Sequence, residues 1–314
     1  NSIYFQMEEE LKKILQRQHY KIIGNHSGVK LCHWMRQCLF YHRICYKAFF
    51  YGIQTHKCLQ LTPALNHCTH NCLYCWRYQK FTEKELKKYD EPEIILEDCI
   101  KAHKLLLTGF KGDKRCDLKI WEEAQEPKHI AISLAGEPTL YPKLNDFIAL
   151  CKKKGMTTFL VSNGTMPEVF ENLEPLPTQL YITIAAPNEN IYNKLCIPLI
   201  PDGWERIKDS LSVLKSLNTR TVIRHTLVEG WNLGYEEQYA KLDTIAEPQF
   251  IECKAYMFVG SSRQRMSLAN MPSHARIKEF AVKLAKLTNY DVIGEKSDSR
   301  VVLLGKQGAS PKII

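Results

Sequence analysis

Three cysteines on one short loop set the strongest constraint on this chain. They are Cys68, Cys72 and Cys75, in the run Asn66-His67-Cys68-Thr69-His70-Asn71-Cys72-Leu73-Tyr74-Cys75-Trp76-Arg77. The spacing is C-x3-C-x2-C, and Tyr74 precedes the third cysteine. Three thiolates so placed can hold three irons of a [4Fe–4S] cube, which normally takes four cysteines. The fourth iron is then open to an amine and a carboxylate of one small molecule. Half of a zinc site is one alternative, but structural zinc usually draws on two C-x2–4-C or Cys/His pairs. Disulfide bonding is another; no signal peptide is visible, and an intracellular chain keeps its thiols reduced. Inert thiols are the third.

The rest of the chain supplies a frame for the loop. From residue 58 on, short β-rich runs alternate with helical stretches. Strands are expected at 58–63, 129–135, 157–162, 179–186, 220–228 and 250–258, and helices at 93–107, 144–154, 204–217 and 235–245. Alternation at this spacing indicates parallel β/α units. Six units make a partial (β/α)6 barrel; a full eight-unit barrel takes about 250 residues. A helix at 273–287 and short strands at 290–293 and 300–304 follow. The expected fold is thus α/β in three parts packed as one body: an N-terminal cysteine-bearing extension (1–57), the partial barrel (58–272) and a small C-terminal helix-plus-strands element (273–314). Residues 1–6 look like a vector remnant, with Met7 as the native start. Nothing reaches the roughly 18 consecutive apolar residues of a membrane span. A net charge of +9 fits a polyanionic partner such as RNA, although many soluble proteins are as basic. The denser stretch Arg77, Lys80, Lys84, Lys87 and Lys88 also reads as a solvated helix face, because Glu83 and Glu85 interleave.

In parallel α/β folds ligands gather at the carboxyl ends of strands. The strand 129–135 runs into Gly136-Glu137-Pro138, whose backbone and Glu137 carboxylate can receive an amino group; a turn with a capping acid is the ordinary alternative. The next strand ends in Ser162-Asn163-Gly164. Ser162 and Asn163 can bond a ribose or carboxylate, and Gly164 permits close backbone approach. Asn232, beyond strand 220–228, is a further candidate for the same groups. Glu252, Lys254 and Tyr256 alternate along a late strand and share one face, which suggests a barrel lumen and substrate contact. Ser261, Ser262, Arg263 and Arg265 form a polar, basic loop suited to RNA phosphate. Upstream, Cys32, Cys45 and Cys58 are evenly spaced among aromatics and histidines, which fits a second cluster, a zinc site or packing. Cys99, Cys116, Cys151, Cys196 and Cys253 fall in apolar surroundings and read as core.

Together these motifs carry a resemblance. The cluster loop and Gly136-Glu137-Pro138, where Ala135 replaces the first glycine of a G-G-E-P element, resemble those of radical SAM enzymes, in which S-adenosylmethionine (SAM) chelates the open iron. With Cys45-Tyr46-Lys47, Phe50-Tyr51-Gly52-Ile53, His56-Lys57-Cys58, Phe250-Ile251-Glu252-Cys253-Lys254-Ala255-Tyr256, Val259-Gly260-Ser261-Ser262 and Asn270-Met271-Pro272, the chain resembles the 4-demethylwyosine synthases of the wyosine pathway from about residue 30 onward. Eukaryotic members carry a flavodoxin-like domain, so this chain looks like the short archaeal form, which implies an external donor of flavodoxin or ferredoxin type.

The resemblance implies two [4Fe–4S] clusters. One sits on Cys68, Cys72 and Cys75 with SAM. The other sits on Cys32, Cys45 and Cys58, where an open iron can take pyruvate. It implies that a 5′-deoxyadenosyl radical takes hydrogen from the methyl of N1-methylguanosine at position 37 of tRNA(Phe). The resulting radical adds to pyruvate, and two pyruvate carbons remain in the tricyclic base. Lys47 matches a family lysine proposed to form a Schiff base with pyruvate; a covalent role, an orienting role and an ordinary surface lysine all stay open. A neighbouring anionic cluster would raise its pKa, so burial must lower it by more. A cytoplasmic monomer is expected. The competing readings are another radical SAM enzyme with an auxiliary cluster, acting on a peptide or small metabolite, and a zinc-dependent RNA-binding protein.

Overall fold

Apolar and β-branched runs bounded by polar turns form strands because such side chains pack well on a pleated surface. The computed structural model describes residues 9–313, so the expected vector remnant and Met7 lie outside the described residues. Ten strands make one sheet: β1 (Lys21–Ile23), β2 (Ser27–Val29), β3 (Cys58–Thr62), β4 (His129–Ile132), β5 (Thr157–Ser162), β6 (Gln179–Thr183), β7 (Arg220–Leu227), β8 (Phe250–Ala255), β9 (Asp291–Lys296) and β10 (Val301–Gly305). Their spatial order is β1-β2-β3-β4-β5-β6-β7-β8-β10-β9. β3 to β8 pair in parallel and form the expected partial barrel. Antiparallel strands cover both of its edges, β2 with β1 on one side and β10 with β9 on the other. Covered edges remove templates for pairing with other chains. The β1–β2 hairpin was not expected; three-residue strands are too short to show a period of two.

Register divides the sheet into two faces. Leu61, Ile132, Leu160 and Leu180 are successive partners, as are Ile182, Ile223 and Ile251. These residues are buried in the main core beneath the surrounding helices, with Ile95 and Cys99 of Pro92–Leu107, Phe147 of Leu144–Lys153 and Phe280 of His274–Thr288. The opposite set includes Val161, Tyr181, Val222 and Phe250, then Thr183, Arg224 and Glu252. It faces the lumen. The short helix Tyr46–Tyr51 enters there: Ala48, Phe50 and Tyr51 pack with Phe159, Tyr181, Val222, Phe250, Val301 and Leu303. Each phenylalanine so buried stabilises the fold by about 1.5–3 kcal/mol. Residues 301–313 complete the plug, with Ile313 N–H donating to Tyr51 O at 2.9 Å. The last part of the N-terminal extension is therefore a filling of the lumen. Among the described residues no helix is long and apolar enough to cross a membrane.

Two buried histidines make this packing sensitive to acid. His129 accepts from Gln54 N–H at Nε2 (3.3 Å) and meets Thr157 Oγ1 through Nδ1 (2.7 Å), tying the extension to β4. His103 meets Ala124 O through Nε2 (3.2 Å), and its Nδ1 is buried without a partner. Burial lowers both pKa values to about 4. The unfolded chain takes these protons near pH 6.5, the folded one only near 4, so stability is full above about 6.5 and falls as pH drops between those values. We expect the melting temperature of the metal-free protein to decline from pH 7 to pH 5, each histidine costing on the order of 1–2 kcal/mol by then. His103→Gln should flatten the decline; a profile level from pH 7 to 5 would contradict the assignment.

Candidate active site

After β3 the chain enters the cluster loop, which has little regular structure and is held by bonds from elsewhere. Asn71 and Leu73 N–H donate to Ile197 O (3.0 Å) and Leu195 O (2.9 Å), and Leu199 N–H donates to Thr69 O (2.8 Å). Gln79 Nε2 donates to Cys72 O (2.9 Å). Arg265 donates through Nε to Leu73 O (3.2 Å) and through Nη2 to Cys75 O. Arg77 donates to His70 O (3.2 Å) and Asn71 Oδ1 (3.3 Å). Burial pushes the Cys68 thiol up to about 12 and raises Cys75, with Arg77 opposing both shifts. Cys72 is raised first by a hydrogen bond with Cys196 and then by burial. Cys196 was expected to be plain core; it is buried, but it lies against the cluster loop. Such thiols deprotonate when metal charge arrives, which suits a cluster. Among the described residues no three His, Cys, Asp or Glu side chains converge as a single-ion site. A cube does not need such a point, since each thiolate takes a different iron.

Gly136 follows β4 with φ +70°, and a Cβ there would lie 1.7 Å from Ala64 O and 2.5 Å from His67 O. Only glycine allows this turn to lie on the start of the cluster loop. Glu137 N–H then donates to His67 O (2.8 Å). The Glu137 carboxylate is buried and accepts from Ser162 Oγ (2.8 Å), Asn163 N–H (2.7 Å), Thr139 N–H (3.1 Å) and Thr139 Oγ1 (2.7 Å). Burial raises its pKa and these bonds oppose the rise. Asn163 Nδ2 reaches Thr69 Oγ1 (2.9 Å) and approaches Cys68 Sγ (3.8 Å). Gly136, Glu137, Pro138, Ser162 and Asn163 thus lie together beside the cluster loop. A narrow cleft lined by Tyr74, Asn163, Thr183, Tyr192 and Trp204 adjoins them. Asn232 does not join them. It is fully buried, its Oδ1 accepts from Val228 N–H (2.6 Å), and its Nδ2 donates to Ala185 O and Thr226 O (both 2.8 Å), so its amide is committed to backbone.

The second constellation faces the lumen. Cys32 and Cys45 cap the N-termini of helices His33–Tyr41 and Tyr46–Tyr51, where thiolates are favoured, and Cys45 Sγ accepts from Ala48 N–H (3.4 Å). Cys58 opens β3. The three lie close together. Burial and Cys45 push Cys32 up to about 11, and burial and Cys32 raise Cys58. Lys47 lies among them, half-buried, with Nζ over the rings of Phe159 (5.1 Å) and Tyr181 (4.9 Å). Burial and then Arg224 lower its pKa, outweighing Cys58, Glu252 and Cys45. Glu252 is buried and accepts from Tyr51 OH (2.6 Å) and Arg224 Nε (2.9 Å). Lys254 Nζ donates to Ser299 O (2.9 Å); burial and Arg224 bring its pKa down to about 8. Tyr256, expected on the same face, follows β8 and is buried in the main core instead of the lumen, its OH pairing with Ser262 Oγ (2.9 Å).

The loop after β8 differs from its expected role. Ser261 and Ser262 are buried, Ser261 N–H donates to Trp76 O (2.9 Å), and Arg265 is committed to cluster-loop carbonyls. Arg263 alone of the four is exposed. The segment braces the cluster loop instead of forming a phosphate-facing surface. Arg224 was missed. Its signal is a cation within β7 at the register position that pairs with Glu252.

Parallel strands in a partial barrel, with three cysteines after the first of them, define the radical SAM class. The superfamily's sequence profile matches residues 63–242. A second profile, for wyosine base formation, matches residues 245–306. The chain is 52% identical to the S-adenosyl-L-methionine-dependent tRNA 4-demethylwyosine synthase of Pyrococcus abyssi, across 98% of this chain and 91% of that protein. A structure of TYW1 with a lysine-pyruvate adduct bound superposes with a TM-score of 0.90 at 40% identity, across 98% of this chain and all of that one. A crystal structure of archaeal TYW1 gives 0.82 at 38% identity, with the same coverage. The chain belongs to the tRNA 4-demethylwyosine synthase family. Its cofactors accordingly include SAM and a [4Fe–4S] cluster. Gly136→Ala should cost more than about 2 kcal/mol of stability, because the Cβ meets backbone on two sides; calorimetry of the metal-free protein would show this, and an unchanged melting temperature would refute the close approach.

Proposed function

We propose that this chain converts N1-methylguanosine at position 37 of tRNA(Phe), with pyruvate, to 4-demethylwyosine, forming a carbon–carbon bond as a lyase-type enzyme. The observation that carries the reading is Lys47, half-buried in the lumen beside Cys32, Cys45 and Cys58, on the face of a sheet whose carboxyl end bears the cluster loop. The relative solved with a lysine-pyruvate adduct supports the lysine's covalent role.

Cys68, Cys72 and Cys75 would hold one [4Fe–4S] cluster, and Cys32, Cys45 and Cys58 a second. Gly136, Glu137, Pro138, Ser162 and Asn163 would receive the amino-acid part of SAM. When bound, SAM and its cluster supply the radical that removes hydrogen from the N1-methyl group. Lys47 condenses with the pyruvate ketone and releases water; its lowered pKa leaves the amine free to attack. Glu252 orients the lumen cations, and Lys254, with a pKa near 8, can pass a proton at neutral pH. Tyr256 positions the segment that supports the cluster loop. The target base must leave its stack to reach this site, and Arg263 with the surplus of +9 favours the tRNA backbone. Electrons would come from an external flavodoxin or ferredoxin, and the enzyme would act as a cytoplasmic monomer in the three parts described.

The reconstituted protein, incubated anaerobically with dithionite, SAM, pyruvate and tRNA(Phe) bearing N1-methylguanosine, should yield a tricyclic nucleoside by mass spectrometry. The product should require pyruvate and vanish in Cys72→Ala. Deoxyadenosine without a modified nucleoside would turn the reading toward a peptide or small metabolite. In a separate measurement, Cys32→Ala should lower iron from about eight to about four per chain; unchanged iron would remove the second cluster.

A further inference from the structure

We propose that Arg224 binds the carboxylate of the α-keto acid held at Lys47, through the unpaired Nη1 edge of its guanidinium. The inference rests on the Schiff-base reading above and adds the residue that selects an acid over a neutral ketone. A ketone joined to Lys47 through its carbonyl carbon places an acid's carboxylate one atom away. That anion needs a partner, and the lumen offers Lys254, Arg220 and Arg224 near the same strands.

Two of these are committed. Lys254 Nζ donates to Ser299 O (2.9 Å). Arg220, at the other end of β7, donates to Gln179 Oε1 (3.2 Å) and to Pro311 O (2.6 Å). Arg224 is only partly used. Its Nε donates to Glu252 Oε2 (2.9 Å) and its Nη2 to Tyr46 OH (2.8 Å). Among the described residues Nη1 has no hydrogen-bond partner, and it is absent from the fully buried unpaired atoms. The side chain keeps 14% of its surface exposed, while Glu252 keeps none. Glu252 Oε2 also lies 2.9 Å from Nη2, so the carboxylate fixes the plane of the guanidinium and leaves Nη1 as a single pre-organised donor for a second carboxylate.

Placement agrees. Lys47 Nζ and Arg224 Cζ both lie over the Tyr181 ring, 4.9 and 4.6 Å from its centre. The two groups are thus neighbours in the lumen, and burial and then the guanidinium lower the Lys47 pKa. Arg224 and Lys254 together face one buried carboxylate, Glu252, so the pocket favours an added anion.

The test uses the cluster-loaded enzyme and borohydride trapping of the Lys47 adduct, read by peptide mass spectrometry across concentrations of pyruvate and of its uncharged methyl ester. In the wild type, pyruvate should half-saturate Lys47 at lower concentration than the ester. In Arg224→Gln the pyruvate requirement should rise about tenfold or more, the scale of a lost charge-assisted pair, while the ester changes little. Arg224→Gln leaves Glu252 unpaired, so Arg224→Gln combined with Glu252→Gln supplies a variant without that buried charge; it should show the same loss of discrimination. Unchanged preference for pyruvate in either variant would overturn the proposal and direct the carboxylate to the auxiliary iron. Absence of any adduct at Lys47 in the wild type would instead overturn the Schiff-base reading beneath it.

Discussion

The parallel, in-register pairing of β3 to β8 is the constraint on which the structure depends. It sends alternate residues of every strand to opposite faces, and a curved sheet then has a concave face to fill. Here the filling is helix Tyr46–Tyr51, with Phe50 and Tyr51 among the lumen aromatics. The same helix begins at Cys45 and carries Lys47, so one packing event both closes the lumen and delivers reactive groups into it. The polar residues on that face satisfy one another: Glu252 takes Tyr51 and Arg224, and Arg224 takes Tyr46. A buried ion pair of this kind is poor as a source of stability and effective at fixing orientation.

The cluster loop obeys a different logic. It has almost no regular structure, and its shape comes from three distant segments that contact it. Residues 195–199 pair along it, Gly136 and Glu137 lie across its start, and Ser261 and Arg265 hold its end. Glu137 is central because four donors from two strand ends converge on one buried carboxylate. The geometry of three thiols is thus set by residues more than sixty positions away in sequence together with nearby Arg77 and Gln79.

Much of this was legible beforehand, and the omissions have physical causes. Six parallel strands follow from the alternation of β-rich and helical runs, and β5 falls where its β-branched residues predict. The expected strand 129–135 stops at Ile132, because Ser133 and Leu134 N–H both turn to Leu61 O and the ladder ends. Cys68, Cys72 and Cys75 announce themselves by spacing, and Gly136 by its neighbours. Asn232, Ser261, Ser262 and Arg265 do not announce their roles, because a polar residue in a loop reads alike whether it faces a ligand or a backbone carbonyl. Composition cannot say which; only the partner can. Arg224 was hidden for a related reason: its partner, Glu252, lies on the next strand.

The contact between Tyr51 and Ile313 bears on how such a molecule is made. Val301 and Leu303 also contribute to the plug, so the chamber around Lys47 stays open on one side until residues 301–313 have left the ribosome. Domains generally fold as units during synthesis, from the N-terminus onward. Here an early segment, Tyr46–Tyr51, waits for a late one. Whatever reaches Cys32, Cys45 and Cys58 would therefore meet a wider bay before residues 301–313 are in place than afterwards.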